Sequence, residues 1–213
     1  MKILFVTLEQ SARENLKVIL KKEFFHNNIS KFYTFGMSQE DLPFKDLTNI
    51  KIKSFMGFVE IIKNLFYLFK LRKSLYLVEK NNSFTHIFFI DSFDFSKFYI
   101  NKYRNRTIKY CQFIGPSVFI WNEKKAKFIN NFFDHIFSIF EIERNFYNVD
   151  KYSYIGHPLL NNIVISNRDR FPIKNIGIFL GSRYQEIIYN IPIIIELINN
   201  LKRLNNFNFL FFV

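Results

Sequence analysis

The chain has 213 residues, of which 49% are hydrophobic and 20% aromatic, and its formal net charge is +12. The apolar content excludes an intrinsically disordered chain, and six glycines with five prolines exclude collagen-like and low-complexity classes. At roughly 150 residues per domain, the length predicts one large domain or one and a half.

The first third of the chain predicts alternating strands and helices. An apolar run over residues 3–8 predicts a buried strand, and Ser11 opens a helix predicted over residues 16–25. The pattern then predicts a strand over 31–35 that ends at Gly36, a loop over 36–49 and a strand over 50–53. From Phe55 a long helical run extends to about Lys80.

The middle of the chain continues the alternation. A buried strand is predicted over residues 85–90, directly before Asp91, and another over 107–113, stopped by Gly115-Pro116. A basic helix follows over 122–133. Strands over 135–140 and 152–155 flank a short helix over 143–147.

Strands that alternate with helices predict an α/β fold, a Rossmann-like parallel sheet with helices on both faces. Glu9, Asp91 and Pro116-Ser117 come at or just past predicted strand ends. Ligand sites of such sheets lie at the carboxyl ends of the strands. We therefore expect the functional site at this edge.

The C-terminal part predicts the start of a second domain. Residues 158–172 are mostly polar and flanked by prolines. After them come a strand over 176–180, a turn at Gly181-Ser182-Arg183, a helix over 186–201 kinked or interrupted at Pro192, and a strand over 207–213. We predict a lobe over 1–157, a linker over 158–175 and an incomplete lobe over 176–213, and expect the chain to be truncated.

Five sequence motifs occur in a fixed order. They are SFMGFVEII from Ser54, IDSFDFS from Ile90, PSVFIWNEKK from Pro116, YIGHPLL from Tyr154 and LGSRYQEI from Leu180. Together, at these spacings and over nearly the whole chain, they resemble the lipid-A-disaccharide synthase family.

The resemblance implies an inverting glycosyltransferase with a two-domain glycosyltransferase-B fold. Residues 1–157 would form the acceptor- and lipid-binding lobe, and residues 176–213 the start of the nucleotide-sugar lobe. The enzyme would transfer 2,3-diacylglucosamine from UDP to 2,3-diacylglucosamine-1-phosphate (lipid X), without metal or other cofactor. It would be cytoplasmic and peripheral on the anionic inner face of the inner membrane of a Gram-negative cell.

By this resemblance Asp91 is the catalytic aspartate. An inverting transfer needs a base for the proton of the attacking hydroxyl, and a carboxylate at a strand end can supply it. The alternative is an N-cap for the following helix. Asp94 is a supporting or capping carboxylate, and Phe93 replaces the proline of the family motif.

Two loops carry candidate substrate-binding residues. The resemblance places Gly181, Ser182 and Arg183 at the diphosphate of the donor, where a guanidinium beside a helix N-terminus suits negative charge. The alternatives are an ordinary turn and a surface arginine. The first loop keeps Glu9 and Ser11 of the family pattern, whereas Leu8, Ala12 and Arg13 replace two glycines and an aspartate.

Two further motif residues have competing interpretations. Trp121 keeps the second tryptophan of the family segment and would line a sugar or lipid site, with core packing as the alternative. His157 matches the family motif at the domain junction, but a lone histidine is more often structural.

The stretch over residues 56–80 is basic and amphipathic. Lys63, Lys70 and Lys73 share one face, and apolar side chains dominate the rest, among them Met56, Phe58, Phe66 and Phe69. This pattern fits an interfacial helix on anionic lipid, and it also fits a core helix with snorkelling lysines. Because both substrates carry acyl chains, we favour membrane or acyl-chain contact.

The main alternative function is a truncated, inactive relic or lipid-binding remnant of the enzyme. A nucleic-acid partner is disfavoured, because the aromatic residues occur in apolar runs and not as exposed platforms. The single cysteine, Cys111, indicates a reducing compartment. No signal peptide is predicted, and homo-oligomerisation is left open.

Overall fold

The computed structural model describes residues 1–20, 31–36, 44–52, 64–121, 123–158, 160, 175–181, 184–204 and 207–212. The chain divides into two compact units, Met1–Ile163 and Val164–Val213.

A parallel sheet forms the centre of the first unit. Its seven described strands are β1 (Lys2–Thr7), β2 (Lys31–Phe35), β3 (Lys45–Asp46), β4 (His86–Ile90), β5 (Lys109–Phe113), β6 (His135–Ser138) and β7 (Tyr152–Tyr154). They pair in the order β3-β2-β1-β4-β5-β6-β7, and every pair is parallel. The strand order reverses between β1 and β4, and a crevice at the carboxyl ends of such strands is the usual ligand site of an open α/β sheet.

Helices connect most of these strands. They are α1 (Gln10–Leu20), α2 (Leu65–Lys80), α3 (Phe93–Tyr103), α4 (Val118–Trp121) and α5 (Glu123–Phe132), with 3-10 turns at Glu141–Phe146 and Val149–Lys151.

The sheet is covered on both faces. Along β1, Leu4 and Val6 belong to one buried cluster, whereas Ile3 and Phe5 belong to another. Successive side chains of a strand point to opposite faces, so the two clusters lie on opposite sides of the sheet. Residues of α1 join the second cluster, and residues of α2, α3 and α5 join the first. This arrangement explains why the strands are continuous apolar runs, as in parallel sheets generally.

A buried carboxyl group of α2 contacts side chains of α3 and β5. Glu79 is 5% exposed, and its Oε2 accepts hydrogen bonds from the hydroxyls of Tyr99 at 2.6 Å and Tyr110 at 3.0 Å. Burial raises the pKa of Glu79 above its ordinary value, against the lowering effect of the two hydroxyl donors. The same burial raises the pKa of both tyrosines.

Replacing this carboxyl should change how the stability of the protein depends on pH. Since the pKa of Glu79 is raised in the folded state, the folded protein keeps a proton that the unfolded chain has released above about pH 4.5. Stability is therefore lost as pH rises through the raised pKa. In Glu79→Gln the amide oxygen still accepts both hydroxyls, so we expect a smaller loss of stability between pH 4.5 and 8, measured by urea unfolding.

The matched control is Glu141→Gln, which removes one charge from an exposed side chain. The difference in unfolding free energy between Glu79→Gln and the wild type should grow in favour of the variant as pH rises. A constant difference across this range would contradict the assignment of a raised pKa.

Several sequence predictions differ from the structure. The predicted strand over 50–53 is absent from the described residues 50–52, and the short β3 lies instead within the predicted loop. Helix α1 begins at Gln10, six residues before the predicted start, and the predicted helix over 143–147 is a 3-10 turn. The basic helix over 122–133 is α5, preceded by the separate short α4. Of the long helix from Phe55, the residues before Asn64 lie outside the described part.

The second unit is a small β-α-β arrangement. Strands β8 (Asn175–Phe179) and β9 (Asn208–Phe212) pair in parallel, and α6 (Tyr184–Leu204) connects them. The sequence predicted a kink or an interruption at Pro192; α6 continues through this residue, so the interruption does not occur. Large apolar side chains of the unit remain exposed, including Phe179 (74%), Tyr189 (76%) and Ile193 (67%).

No helix of the described ranges combines the length and the apolar content that a membrane-spanning helix needs.

Candidate active site

Asp91 occupies the tight turn between β4 and α3. Both Asp91 (φ +57°) and Ser92 (φ +46°) have left-handed backbone conformations. The Asp91 amide donates to the Phe113 carbonyl at 2.8 Å, and the Ser92 amide donates to Asp91 Oδ1 at 2.9 Å. The N-cap of α3 is Ser92, so Asp91 precedes the capping position and its second carboxylate oxygen faces the neighbouring loop.

A buried amide holds this turn from below. The side chain of Gln112 is fully buried, and its Nε2 donates to the Asp91 carbonyl at 2.8 Å. The hydroxyl of Ser96 donates to Gln112 Oε1 at 2.8 Å, which fixes the orientation of the amide. Non-glycine residues adopt positive φ at an energetic cost, so these bonds stabilise an otherwise unfavourable turn.

The loop after β1 brings a second carboxylate to Asp91. Strands β1 and β4 are neighbours in register, with Thr7 beside Ile90, so both chains leave the sheet at the same edge. The hydroxyl of Ser92 donates to Glu9 Oε1 at 3.1 Å, and the hydroxyl of Ser11 donates to Asp91 Oδ2 at 3.4 Å. The two loops are thus linked by reciprocal serine–carboxylate bonds.

The surroundings of Glu9 shift the pKa of its carboxyl group. Partial burial of its carboxyl raises the pKa of Glu9, although the side chain as a whole stays accessible. The charge of Asp91 raises this pKa further, and the hydrogen bond from Ser92 lowers it. Two nearby carboxyl groups in different environments are a common arrangement of acid–base sites.

A pocket of about 380 Å³ opens above this edge of the sheet. Glu9, Asp91 and Asp94 give it acidic groups, and Arg72 and Lys125 give it cations. Its apolar lining comes from Leu8, Leu68, Leu71, Phe93, Phe95 and Phe98, and Pro116 completes the wall. A mainly apolar cavity with a few convergent polar groups has the character of a site for a small amphipathic ligand.

Helix α2 exposes an apolar and basic stripe beside this pocket. Leu71 and Leu75 are buried, whereas Phe66 is 70% and Phe69 44% exposed. Lys70 and Lys73 are also exposed, and Lys70 Nζ lies 4.6 Å from the centre of the Phe66 ring. The described part of this helix therefore has one face in the core and another open to its surroundings.

Some predicted site residues cannot be placed. Ser182 and Arg183 lie outside the described residues, as do the predicted membrane residues Met56, Phe58 and Lys63. Trp121 is the last residue of α4, but its side chain also lies outside the description. Gly181 follows β8 in the second unit with φ +112°, a conformation that favours glycine.

Sequence reasoning missed the cations of the pocket. Arg72 and Lys125 belong to basic helical runs, and neither was singled out as a site residue. In the structure Lys125 forms an ion pair with Asp94, with Lys125 Nζ 3.5 Å from Asp94 Oδ1. The helical register of Arg72, with Leu68 four positions before it and Leu75 three positions after it, was the available signal that Arg72 borders the core.

Comparison with known proteins agrees with this architecture. The family model for lipid-A-disaccharide synthetase matches residues 3–213, nearly the whole chain. The chain belongs to the lipid-A-disaccharide synthase family. The resemblance stated from the five motifs is thereby confirmed.

Curated relatives of this family are considerably longer than the chain. The lipid-A-disaccharide synthase of Campylobacter jejuni is 31% identical over 93% of the chain and 58% of the relative. That of Francisella philomiragia is 28% identical over 78% of the chain and 47% of the relative. The chain thus spans about half the length of the curated relatives that it matches.

A solved structure supports the fold. UDP-N-acetylglucosamine 2-epimerase from Rickettsia bellii superposes with a TM-score of 0.56 at 12% identity, covering 99% of this chain and 61% of that one. At this identity the likeness shows the fold alone. Together with the seven-stranded parallel sheet it confirms the predicted Rossmann-like lobe of a glycosyltransferase-B fold.

The altered first loop of this family member is well packed. Ala12, which stands where the family pattern has glycine, is fully buried in the cluster that contains Ile3 and Leu16. Arg13 Nε is buried and makes no hydrogen bond among the described residues. The loop nevertheless keeps Glu9 and Ser11 in contact with the turn at Asp91.

Proposed function

We propose that the protein is a glycosyltransferase of lipid A biosynthesis, with Asp91 as its general base. The reaction transfers 2,3-diacylglucosamine from its UDP donor to the 6-hydroxyl of 2,3-diacylglucosamine-1-phosphate. The observation that carries the proposal is the position of Asp91, which lines an amphipathic pocket at the switch point of the sheet in a chain of this family.

The chemistry needs one base at this position. Asp91 takes the proton of the acceptor 6-hydroxyl while the oxygen of that hydroxyl attacks the anomeric carbon of the donor. The bond between that carbon and the β-phosphate oxygen breaks, the electron pair leaves with UDP, and the configuration inverts. The hydrogen bonds from the Ser92 amide and the Ser11 hydroxyl orient the carboxylate of Asp91 for this transfer.

The apolar lining of the pocket supports acylated substrates. Leu68, Leu71 and Phe98 give a surface for the first carbons of acyl chains, and the exposed Phe66 and Phe69 lie on the same helix as the two leucines. On the donor side the turn at Gly181–Arg183 is assigned to the diphosphate, because a guanidinium and helix amide groups favour negative charge.

The direct test is an assay of the native polypeptide with both acylated sugars. We expect the lipid A disaccharide and UDP in equal amounts, detected by mass spectrometry, with the inverted linkage established by NMR. Binding of the acceptor without any product would support the alternative of a lipid-binding remnant and contradict the transferase.

Charge reversal along the predicted amphipathic stretch over residues 56–80, of which α2 is the described part, should weaken membrane binding. The variant Lys63→Glu/Lys70→Glu/Lys73→Glu removes three cations from the predicted interfacial face, and each lysine near an anionic surface contributes about 1 kcal/mol. We expect binding to vesicles with anionic lipid to fall by about 100-fold at low salt, measured by co-sedimentation.

The matched control reverses the exposed Lys31, Lys109 and Lys127, which gives the same net charge away from α2. That variant should lose clearly less binding. Equal losses would show that only net charge matters, and unchanged binding of the α2 variant would remove this face from the membrane contact.

A further inference from the structure

Arg72 is a cation without a counterion at the wall of the pocket. It lies on α2, and its Nε is buried with no hydrogen-bond partner among the described residues. Its guanidinium lies 4.8 Å from the ring centre of Phe98 and 5.5 Å from that of Phe95. No carboxylate of the described residues forms an ion pair with it. The two rings hold the group in place but do not neutralise it.

The remaining charges of the pocket already have partners. Asp94 pairs with Lys125, whose Nζ also lies 5.4 Å from the Phe93 ring centre. Glu9 and Asp91 accept hydrogen bonds from the two serines of the site. Partial burial lowers the pKa of Arg72 from its ordinary value. Because the ordinary pKa of an arginine is far above neutral, the guanidinium stays charged at neutral pH. Among the described residues of the pocket, Arg72 is therefore the cation that has no counterion.

We infer that Arg72, assisted by Lys125, binds the phosphate monoester of the acceptor sugar. This inference rests on the proposed function and names the group that orients the acceptor at Asp91. A guanidinium presents a planar fork of donors that matches phosphate oxygens in pairs, and no described residue accepts a hydrogen bond from Arg72 Nε. Lys125, which also pairs with Asp94, adds a second positive charge to the lining of the same pocket.

The shape of the acceptor fits this arrangement. The 1-phosphate is attached to C1 and the 6-hydroxymethyl group to C5, the two carbons that flank the ring oxygen, so a sugar held at its phosphate presents the 6-hydroxyl within a limited range of distances. The pocket contains Asp91 and Arg72 together, and its volume of about 380 Å³ is in the range of small-molecule sites. Anchoring one end of the sugar positions the reacting end at the base.

The test compares two ligands that differ only in the phosphate. Binding of 2,3-diacylglucosamine-1-phosphate and of its dephosphorylated form is measured in non-ionic micelles by equilibrium dialysis, without donor. We expect the wild type to prefer the phosphorylated ligand by at least tenfold. In Arg72→Gln this preference should fall to near one, with unchanged affinity for the dephosphorylated form.

Two further variants sharpen the comparison. Arg72→Lys keeps the charge but loses the fork, so it should retain part of the preference. Arg106→Gln removes an exposed arginine outside the pocket and should behave as the wild type. A loss of affinity for both ligands in Arg72→Gln would mean a structural role and overturn the inference.

Two other results would also overturn it. One is a wild type that binds both ligands equally. The other is an Arg72→Gln variant with weaker UDP binding and unchanged phosphate preference, because the anion would then be the donor diphosphate. If the phosphate preference depends on Arg72 but no disaccharide forms, the result contradicts the proposed function and leaves the inference about Arg72 intact. Binding of neither sugar would contradict both.

Discussion

Asp91→Asn should reduce disaccharide formation by about a thousandfold while leaving the fold intact, since general-base catalysis contributes roughly 10²–10⁴-fold. The amide cannot accept the proton of the attacking hydroxyl. The side-chain oxygen of asparagine can still accept the hydrogen bond from the Ser92 backbone amide. Asparagine also tolerates the left-handed conformation of φ +57° better than most residues. The measurement is single-turnover product formation with saturating substrates, together with a thermal unfolding curve.

The control for this change is Asp150→Asn, which makes the same substitution at an exposed position outside the pocket. It should keep wild-type turnover. If Asp91→Asn also turned over normally, Asp91 would not be the base, and Glu9 would be the next residue to test, because Ser92 links its carboxyl to the same turn.

Gly36→Ala should cost about 4 kcal/mol or more of folding free energy, in the range typical of severe backbone clashes. Gly36 directly follows β2 with φ +107°, and an added Cβ would lie 1.9 Å from the carbonyl oxygen of Thr7. That oxygen belongs to the backbone of the neighbouring strand β1, so it cannot rotate away as a side chain would. We expect the unfolding midpoint to fall by about 10 °C or more.

Gly156→Ala separates the clash from the conformational strain. Gly156 also has positive φ, at +69°, but the nearest atom to an added Cβ is the Tyr154 hydroxyl at 3.9 Å. This variant should lose only about 1–2 kcal/mol, the cost of a left-handed backbone for a residue with a Cβ. Equal losses in the two variants would show that the contact with Thr7 does not matter.

The predicted strands at 3–8, 31–35, 85–90 and 107–113 agree closely with β1, β2, β4 and β5. Their signal is strong because a strand covered on both faces is apolar at most of its positions. The placement of Glu9 and Asp91 at strand ends followed from the same runs, since a polar residue ends each of them. Parallel pairing then brings those ends to one edge.

Two elements that were not delimited from the sequence have weaker local signals. Helix α3 begins directly after the strained turn at Asp91, and its sequence FDFSKFYINKY is rich in aromatic residues that are poor helix formers. Its helical state is stabilised by burial of Phe95, Tyr99 and Ile100 against the sheet. The two-residue β3 pairs with β2 through few bonds, and no local pattern of this length distinguishes it from a loop.

The sequence by itself determined the type of most elements, the family and the identity of the carboxylate at the end of β4, because these depend on runs and motifs of neighbouring residues. Only the tertiary structure decided that Glu9 is linked to the turn of Asp91 through Ser92, and that Arg72 and Lys125 border the same pocket. Those residues come from four separate segments of the chain. The order β3-β2-β1-β4-β5-β6-β7 brings the segments together, and strand order is a global property of packing that local periodicity does not encode.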